Sequence, residues 1–415
     1  MDSIFVAKIS EDALTAVTLA FPIQTLMIAA GSGTGVGINA LLSKSLGEKN
    51  FDRSDAAANT GILLNFFNYL LFLMIGIFLA KPFISSQTSN DVIIEYGATY
   101  VAYVCMFSIG IFAQMTFERL LQATGRTLLS MVSQMTGAII NIIMDPLLIF
   151  GIGPFPKLGV AGAAIATIFG QTVAASLGIF MNIKYNKDIR LSLSKVLHPK
   201  KEIVKAIYVV GVPSILMVSV GSVMTYAFNK ILNGFSTTAV AVFGVYFKLQ
   251  SFFFMPVFGL NNGLIPVLAY NYGARKKARI SEALHFAVRL AFCIMLCGML
   301  IFEMIPTVLL DLFDASDHMI DIGVPALRLI AIHFPIASVC IVLGSVFQAF
   351  AKSYYSLVVS LGRQLFVLIP VAYGLSLFGK VSLVWLSFPI AECISLTLTL
   401  VFYRKIRRDI LDKMA

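Results

Sequence analysis

The stretch Gln24 to Arg53, QTLMIAAGSGTGVGINALLSKSLGEKNFDR, returns 226 residues later as Gln250 to Arg279, QSFFFMPVFGLNNGLIPVLAYNYGARKKAR. Gln24 matches Gln250, Gly33 matches Gly259, Gly37 matches Gly263, Gly47 matches Gly273 and Arg53 matches Arg279. The same offset carries Gln122 and Ala123 onto Gln348 and Ala349, and Ser130 onto Ser356. A constant offset kept over so much chain marks an internal repeat. Each segment is a long apolar run closed by a polar, basic turn, the pattern of a membrane span and its loop.

The rest of the chain agrees. Of its 415 residues 58% are hydrophobic and 13% charged, whereas soluble chains carry about 45–50% apolar and about 25% charged residues. Mean hydropathy is +0.88. So few charges cannot coat a water-facing surface, which excludes a soluble enzyme. Apolar runs of spanning length fall near 13–43, 59–82, 94–117, 127–150, 159–183, 206–232, 238–270, 282–310, 320–350, 354–378 and 381–403. The fold class is therefore an all-α polytopic membrane protein of about eleven full spans.

The longest polar segment, Lys184 to Lys205, divides the repeat. The expected organisation is an N-terminal helix bundle over 1–185, a basic cytoplasmic linker over 186–204 and a C-terminal bundle over 205–415. Repeats that face the same way need an even number of spans each. The second half shows six and the first five. Subtracting the offset from 206–232 puts the missing partner at about −20 to 6. Met1–Ile9 then reads as the outer end of a first helix that is mostly missing, in two pseudo-symmetric six-helix bundles. A genuine eleven-helix chain is the competing reading.

Net charge is +10, and its placement is topological. One set of alternate loops holds 22 of the 31 Lys and Arg residues, the other set 5. The linker and the C-terminus are thus expected in the cytoplasm, and no nucleic-acid partner is implied. The five cysteines lie in apolar runs and read as reduced structural thiols. The four histidines lack ligand spacing, so no metal motif is expected.

Ionisable groups inside spans are functional candidates, because burying a charge in hydrocarbon is costly. Asp145 is the clearest, in INIIMDPLLIFG with no basic residue near. Pro146 after it removes a backbone hydrogen bond and makes a candidate hinge. Asn141 lies one turn before Asp145 on the same helix face. Counted from the outer helix ends at about 1.5 Å per residue, Asp145 lies ~8 Å deep and Asp2 and Thr167 ~12 Å. Two carboxylates, an amide and a hydroxyl at one depth can hold a proton or a sodium ion. In the second half Lys248, Arg363, Glu303 and Glu392 are weaker candidates: Lys248 and Arg363 either pair with Glu303 or Glu392 or snorkel, and a structural ion pair is the chief reading for most of them. Gly31-Ser-Gly-Thr-Gly-Val-Gly37 superficially resembles a nucleotide loop. It follows no strand and lacks GK[ST], so close helix packing is the better reading. No catalytic constellation is present, and neither an enzyme nor a cofactor is expected.

Four segments carry a resemblance over essentially the whole chain: residues 20–50, ATGR at 123–126, NIIMDP at 141–146 with GVAGAAIAT at 159–167, and GLNNGLIPVLAYNYGARKKAR at 259–279. Together they resemble the multidrug and toxic compound extrusion (MATE) transporters. The resemblance implies two six-helix bundles around a cleft, and export of cationic or amphipathic compounds against an inward H+ or Na+ gradient. It also points to the DinF-like branch, whose coupling cluster matches Asp2, Asn141, Asp145 and Thr167 here. NorM-like members use acidic residues of the seventh and eighth helices, and this chain has none there. The expected protein is an antiporter, taken as a monomer, in the bacterial cytoplasmic membrane, with organic cations or amphiphiles, H+ or Na+ and membrane lipid as partners. A flippase for lipid-linked oligosaccharide is the alternative.

Overall fold

The computed structural model describes residues 5–313 and 315–414, and among these it is helical with no strand. The first copy of the repeat contains α1 (Glu11–Gly47), α2 (Phe51–Phe78), α3 (Asp91–Met106), α4 (Ile109–Ala123), α5 (Thr127–Phe150) and α6 (Val160–Tyr185). A short helix α7 (Leu193–Leu197) and α8 (Lys201–Asn233) follow. The second copy holds α9 (Thr237–Gly273), α10 (Lys277–Met304), α11 (Asp317–Ala331), α12 (Phe334–Ala349) and α13 (Ser353–Leu361). A π-helical segment (Gly362–Leu368), α14 (Ile369–Ser376) and α15 (Ser387–Asp409) complete it.

The offset of 226 reproduces the helix ends themselves. Glu11–Gly47 maps onto Thr237–Gly273, Phe51–Phe78 onto Lys277–Met304, and Asp91–Ala123 onto Asp317–Ala349. Capping follows the same rule. Ser10 and Ser236, each in extended backbone, accept from the N–H of Ala13 and Ala239, satisfying one of the free donors at a helix start. Lys49 and Arg275 both turn with positive φ after their helices, and so do Gly125 and Ala351.

Nine described helices are long and apolar enough to cross a membrane, or eleven spans when each of two bent pairs is one. Those pairs are the difference from the sequence expectation, which read 94–117 and 320–350 as plain runs. α3 meets α4 at 44° and α11 meets α12 at 46°. At both breaks the chain tightens into i→i+3 bonds, Ser108 to Cys105 and His333 to Ile330. In the second copy Pro335 explains the interruption, since it has no N–H to return to Ala331.

The chain forms two compact units, Met1–Ile215 and Leu216–Ala415. The expected linker, 186–204, and the first turns of α8 thus lie within the first unit. Glycines set the helix spacing there. A Cβ at Gly31 would lie 2.6 Å from the Met115 sulfur of α4, and one at Gly35 would lie 2.9 Å from Cγ of Arg119. Gly33 faces Gly211 and Ile215, and Gly37 faces the Ile207 carbonyl, all on α8. The glycine run therefore packs helices on two faces. Lipid is as apolar as leucine, so such close approach is what holds spans together.

Candidate functional site

α5 and α6 meet along a seam without side chains. A Cβ at Gly170 would lie 2.6 Å from the Gly137 carbonyl and 3.0 Å from Cβ of Asn141; one at Gly162 would lie 2.5 Å from the Leu148 carbonyl. Ser133 donates across the seam to the Ala174 carbonyl at 2.7 Å. Because the backbones touch, short polar side chains reach across.

Asn141 uses that proximity. Its amide nitrogen donates to Asp145 Oδ1 at 3.4 Å, one turn on in α5, and to Thr167 Oγ1 of α6 at 3.3 Å. Asp145 is completely buried. Both contacts are long for hydrogen bonds, so the trio is loosely knit. A carboxylate and a hydroxyl share one amide, an oxygen-rich set that suits a proton or a hard cation. Asp145 lies five residues from the end of α5 and Thr167 seven from the start of α6. Both are thus about 8–10 Å from the same edge of the bundle. Pro146 follows Asp145 within α5, which continues to Phe150 and ends on Gly151 at φ +73°. The fourth expected member, Asp2, lies outside the described residues; Val6 packs in the apolar cluster with Ile149, Val160 and Ala163, at the C-terminal end of α5 and the N-terminal end of α6.

The second unit carries its charges differently. Arg363, on the π-helical segment, binds buried Glu392 of α15, Nη1 to Oε2 at 2.9 Å. Glu392 Oε1 has no hydrogen-bond partner among the described residues. Glu303 faces Arg328 at 4.0 Å, and its backbone carbonyl accepts from Arg328 Nε at 3.2 Å. Lys248 meets neither expected carboxylate; its ammonium lies 5.6 Å from the Phe313 ring centroid. The pairing reading of Lys248 is thus corrected: Arg363 takes Glu392, Arg328 takes Glu303, and the lysine rests against an aromatic face.

A family model described as MatE matches residues 1–147 and 213–374. The chain belongs to the MatE family. Its members are transporters, and it is accordingly a multi-pass membrane transporter and not an enzyme. It is 28% identical over 404 residues to a FAD transporter of Shewanella oneidensis, covering 94% of this chain and 86% of that one. It is 25% identical over 394 residues to the multidrug export protein MepA of Staphylococcus haemolyticus, covering 94% and 85%. Among solved structures it overlays a multidrug resistance MATE family transporter in an outward-facing conformation with TM-score 0.91 at 22% identity, covering 99% of this chain and 91% of that one. It also overlays a MOP superfamily transporter from Pyrococcus furiosus, described by a binding pocket of reversed polarity, with TM-score 0.90 at 23% identity, covering 99% and 91%.

In this MatE chain the sequence reading passed over a second polar cluster. Asn68 donates to Thr34 Oγ1 at 3.1 Å and to Asn65 Oδ1 at 2.9 Å, and Asn65 donates to Thr116 Oγ1 at 2.7 Å. The group ties α1, α2 and α4 together beside a cavity of about 140 Å³ bordered by Asn65, Phe66, Tyr69 and Phe112. Gln24, noticed only as a repeat marker, donates to Tyr100 Oη at 3.0 Å. The signal was available: amides at positions 65 and 68 sit one turn apart in the apolar stretch 61–78 of α2.

Proposed function

We propose that this MatE-family transporter is a secondary active antiporter of the bacterial cytoplasmic membrane. It exports organic, chiefly cationic and amphipathic, compounds and is driven by an inward H+ or Na+ gradient. The observation that carries the reading is the Asn141 amide held between buried Asp145 and Thr167 in the first unit. We assign ion coupling to this trio with Asp2, as in the DinF-like branch, and place the linker and C-terminus in the cytoplasm, with the protein working as a monomer. Proton binding neutralises Asp145 and loosens its bond to Asn141. Sodium binding instead needs the amide turned so that its oxygen faces the ion. Either event changes how α5 packs on α6, with Pro146 as the place where α5 bends. An antiporter then needs the ion and the substrate to favour opposite states, because a ligand shifts an equilibrium only by its differential affinity.

The test is efflux of ethidium from vesicles carrying the protein, under pH and Na+ gradients imposed separately. Efflux that follows one gradient and is lost in Asp145→Asn supports the reading and names the ion. Full ion-driven efflux in that variant overturns the coupling role. The relative named as a FAD transporter brings a second substrate class, an anionic dinucleotide. Vesicles loaded with FAD decide between the two. Absence of export for both compounds favours the lipid-linked oligosaccharide flippase.

A further inference from the structure

The connection between α6 and α8 is clamped to the first unit. Asp55, buried in the first turns of α2, accepts from the Arg190 N–H at 2.7 Å and from Lys195 Nζ at 3.0 Å. Asn59, one turn on, donates to the Arg190 carbonyl at 2.9 Å and accepts from the Ser192 N–H at 2.8 Å. Arg126 pairs with Asp188, and Ile189 is buried against Ile38, Leu42 and Ala58. This anchoring fixes α7 at a definite level. Asn59 is eight residues into α2, about 12 Å from its end, and is also where the apolar run of that helix begins.

At that level α7 exposes two leucines one turn apart, Leu193 at 75% and Leu197 at 62%. In the sequence flanking them Lys184, Lys187, Arg190, Lys200, Lys201 and Lys205 are all exposed. The acidic residues of this segment are two, Asp188 and Glu202, and Asp188 is already paired. Apolar side chains held at the depth where a span begins, in a segment flanked on both sides by exposed cations, match the leaflet surface with its acyl boundary and anionic headgroups.

We propose that α7 is a lipid-binding strap: Leu193 and Leu197 enter the acyl boundary of the adjacent leaflet, and the surrounding lysines and Arg190 bind anionic phospholipid headgroups. The strap rests on the membrane reading of the fold and not on the antiporter reading, so its test uses no transport.

The chain has a single tryptophan, Trp385, buried among Phe228 and Phe243. In a Trp385→Phe background, Leu193→Trp and Leu197→Trp each place one reporter on the strap, and a folding defect in one leaves the other. The full chain is reconstituted in vesicles of phosphatidylcholine, with or without phosphatidylglycerol, and quenched by brominated lipid or aqueous acrylamide. Both reporters are expected to be quenched by bromine placed near the headgroup end of the acyl chain and shielded from acrylamide. Phosphatidylglycerol is expected to increase bromine quenching about twofold, and Lys200→Gln with Lys201→Gln to abolish that gain. Reporters open to acrylamide and blind to bromine overturn the insertion. Quenching indifferent to phosphatidylglycerol overturns the headgroup contact.

Discussion

Gly137 and Arg363 occupy the same position in the two copies of the repeat, 226 residues apart, and join the same pair of helices by opposite means. Gly137 lets α5 touch α6, with the Gly170 carbonyl 2.8 Å from where its Cβ would be. Arg363 instead spans the corresponding gap with an ion pair to Glu392, whose counterpart in the first copy is Ala166. The Asn141–Asp145–Thr167 trio follows the same division. Asn141, Asp145 and Thr167 correspond to Val367, Val371 and Cys393. Duplication supplied two similar bundles, and in the first a buried carboxylate lies within reach of an amide and a hydroxyl at this seam. The second copy spends its charge on a fixed pair and a π-helical turn, a local irregularity frequent at functional sites.

Removing the Thr167 hydroxyl tests the trio without changing its charge. Thr167→Val keeps the shape of the side chain and deletes the acceptor of the Asn141 amide. A hydrogen bond of this kind contributes about 0.5–1.5 kcal/mol. The half-saturating ion concentration for efflux should rise several-fold, about 2–10-fold, with the maximal rate less affected. Rate measurements across a series of ion gradients check it, and an unchanged ion dependence removes Thr167 from the site.

Gly170→Val tests the seam. Its Cβ would press on the Gly137 carbonyl and the Asn141 Cβ, forcing α5 and α6 apart. Overpacking of this kind costs about 1–3 kcal/mol. The variant should melt at lower temperature in detergent and lose ion-driven efflux, while Gly244→Ala, which meets open space, changes neither.

The Arg363–Glu392 pair makes a third case. Glu392→Gln leaves the arginine charge without its carboxylate partner. Breaking a fully buried pair costs about 3–5 kcal/mol; the Arg363 side chain is one-third exposed, which reduces this to about 2 kcal/mol. Thermal melting of the purified protein should show the loss. The exchanged pair, Arg363→Glu with Glu392→Arg, should recover part of it if the contact is electrostatic.

Most of the fold was legible because the signal that encodes it is long-range and redundant. Apolar runs fixed the spans, and the offset read from Gln24 and Gln250 carried through to helix ends and capping serines. The bends at Phe107–Ser108 and Ile332–His333 were not read from the sequence, because a lone Ser108, or His333 with Pro335, inside a long apolar run does not by itself separate a broken span from a straight one. Of the candidate site, Asn141 and Asp145 followed from helical spacing alone. That Thr167 meets them depends on Gly137 and Gly170, whose role as a seam appears only when both helices are present. The partners of Lys248 and Glu303 stayed open in the sequence for a related reason: depth along a helix says nothing about which way around it a side chain faces.

Asp55→Ala tests the clamp that holds the linker. The substitution removes the acceptor of the Arg190 N–H and of Lys195, leaving a backbone donor unpaired in a part-buried setting. Such a group costs about 1–3 kcal/mol, enough to shift a local opening equilibrium by about 5–150-fold. The linker is rich in trypsin sites, with Lys187, Arg190, Lys195, Lys200 and Lys201 close together. Limited digestion of the purified protein should therefore cut the variant within 187–201 at least about fivefold faster than the parent. Asp55→Asn, which keeps one acceptor for the Arg190 N–H, should fall between them. Equal cleavage rates in all three would mean that Ile189 and its apolar neighbours hold the linker without help from the carboxylate.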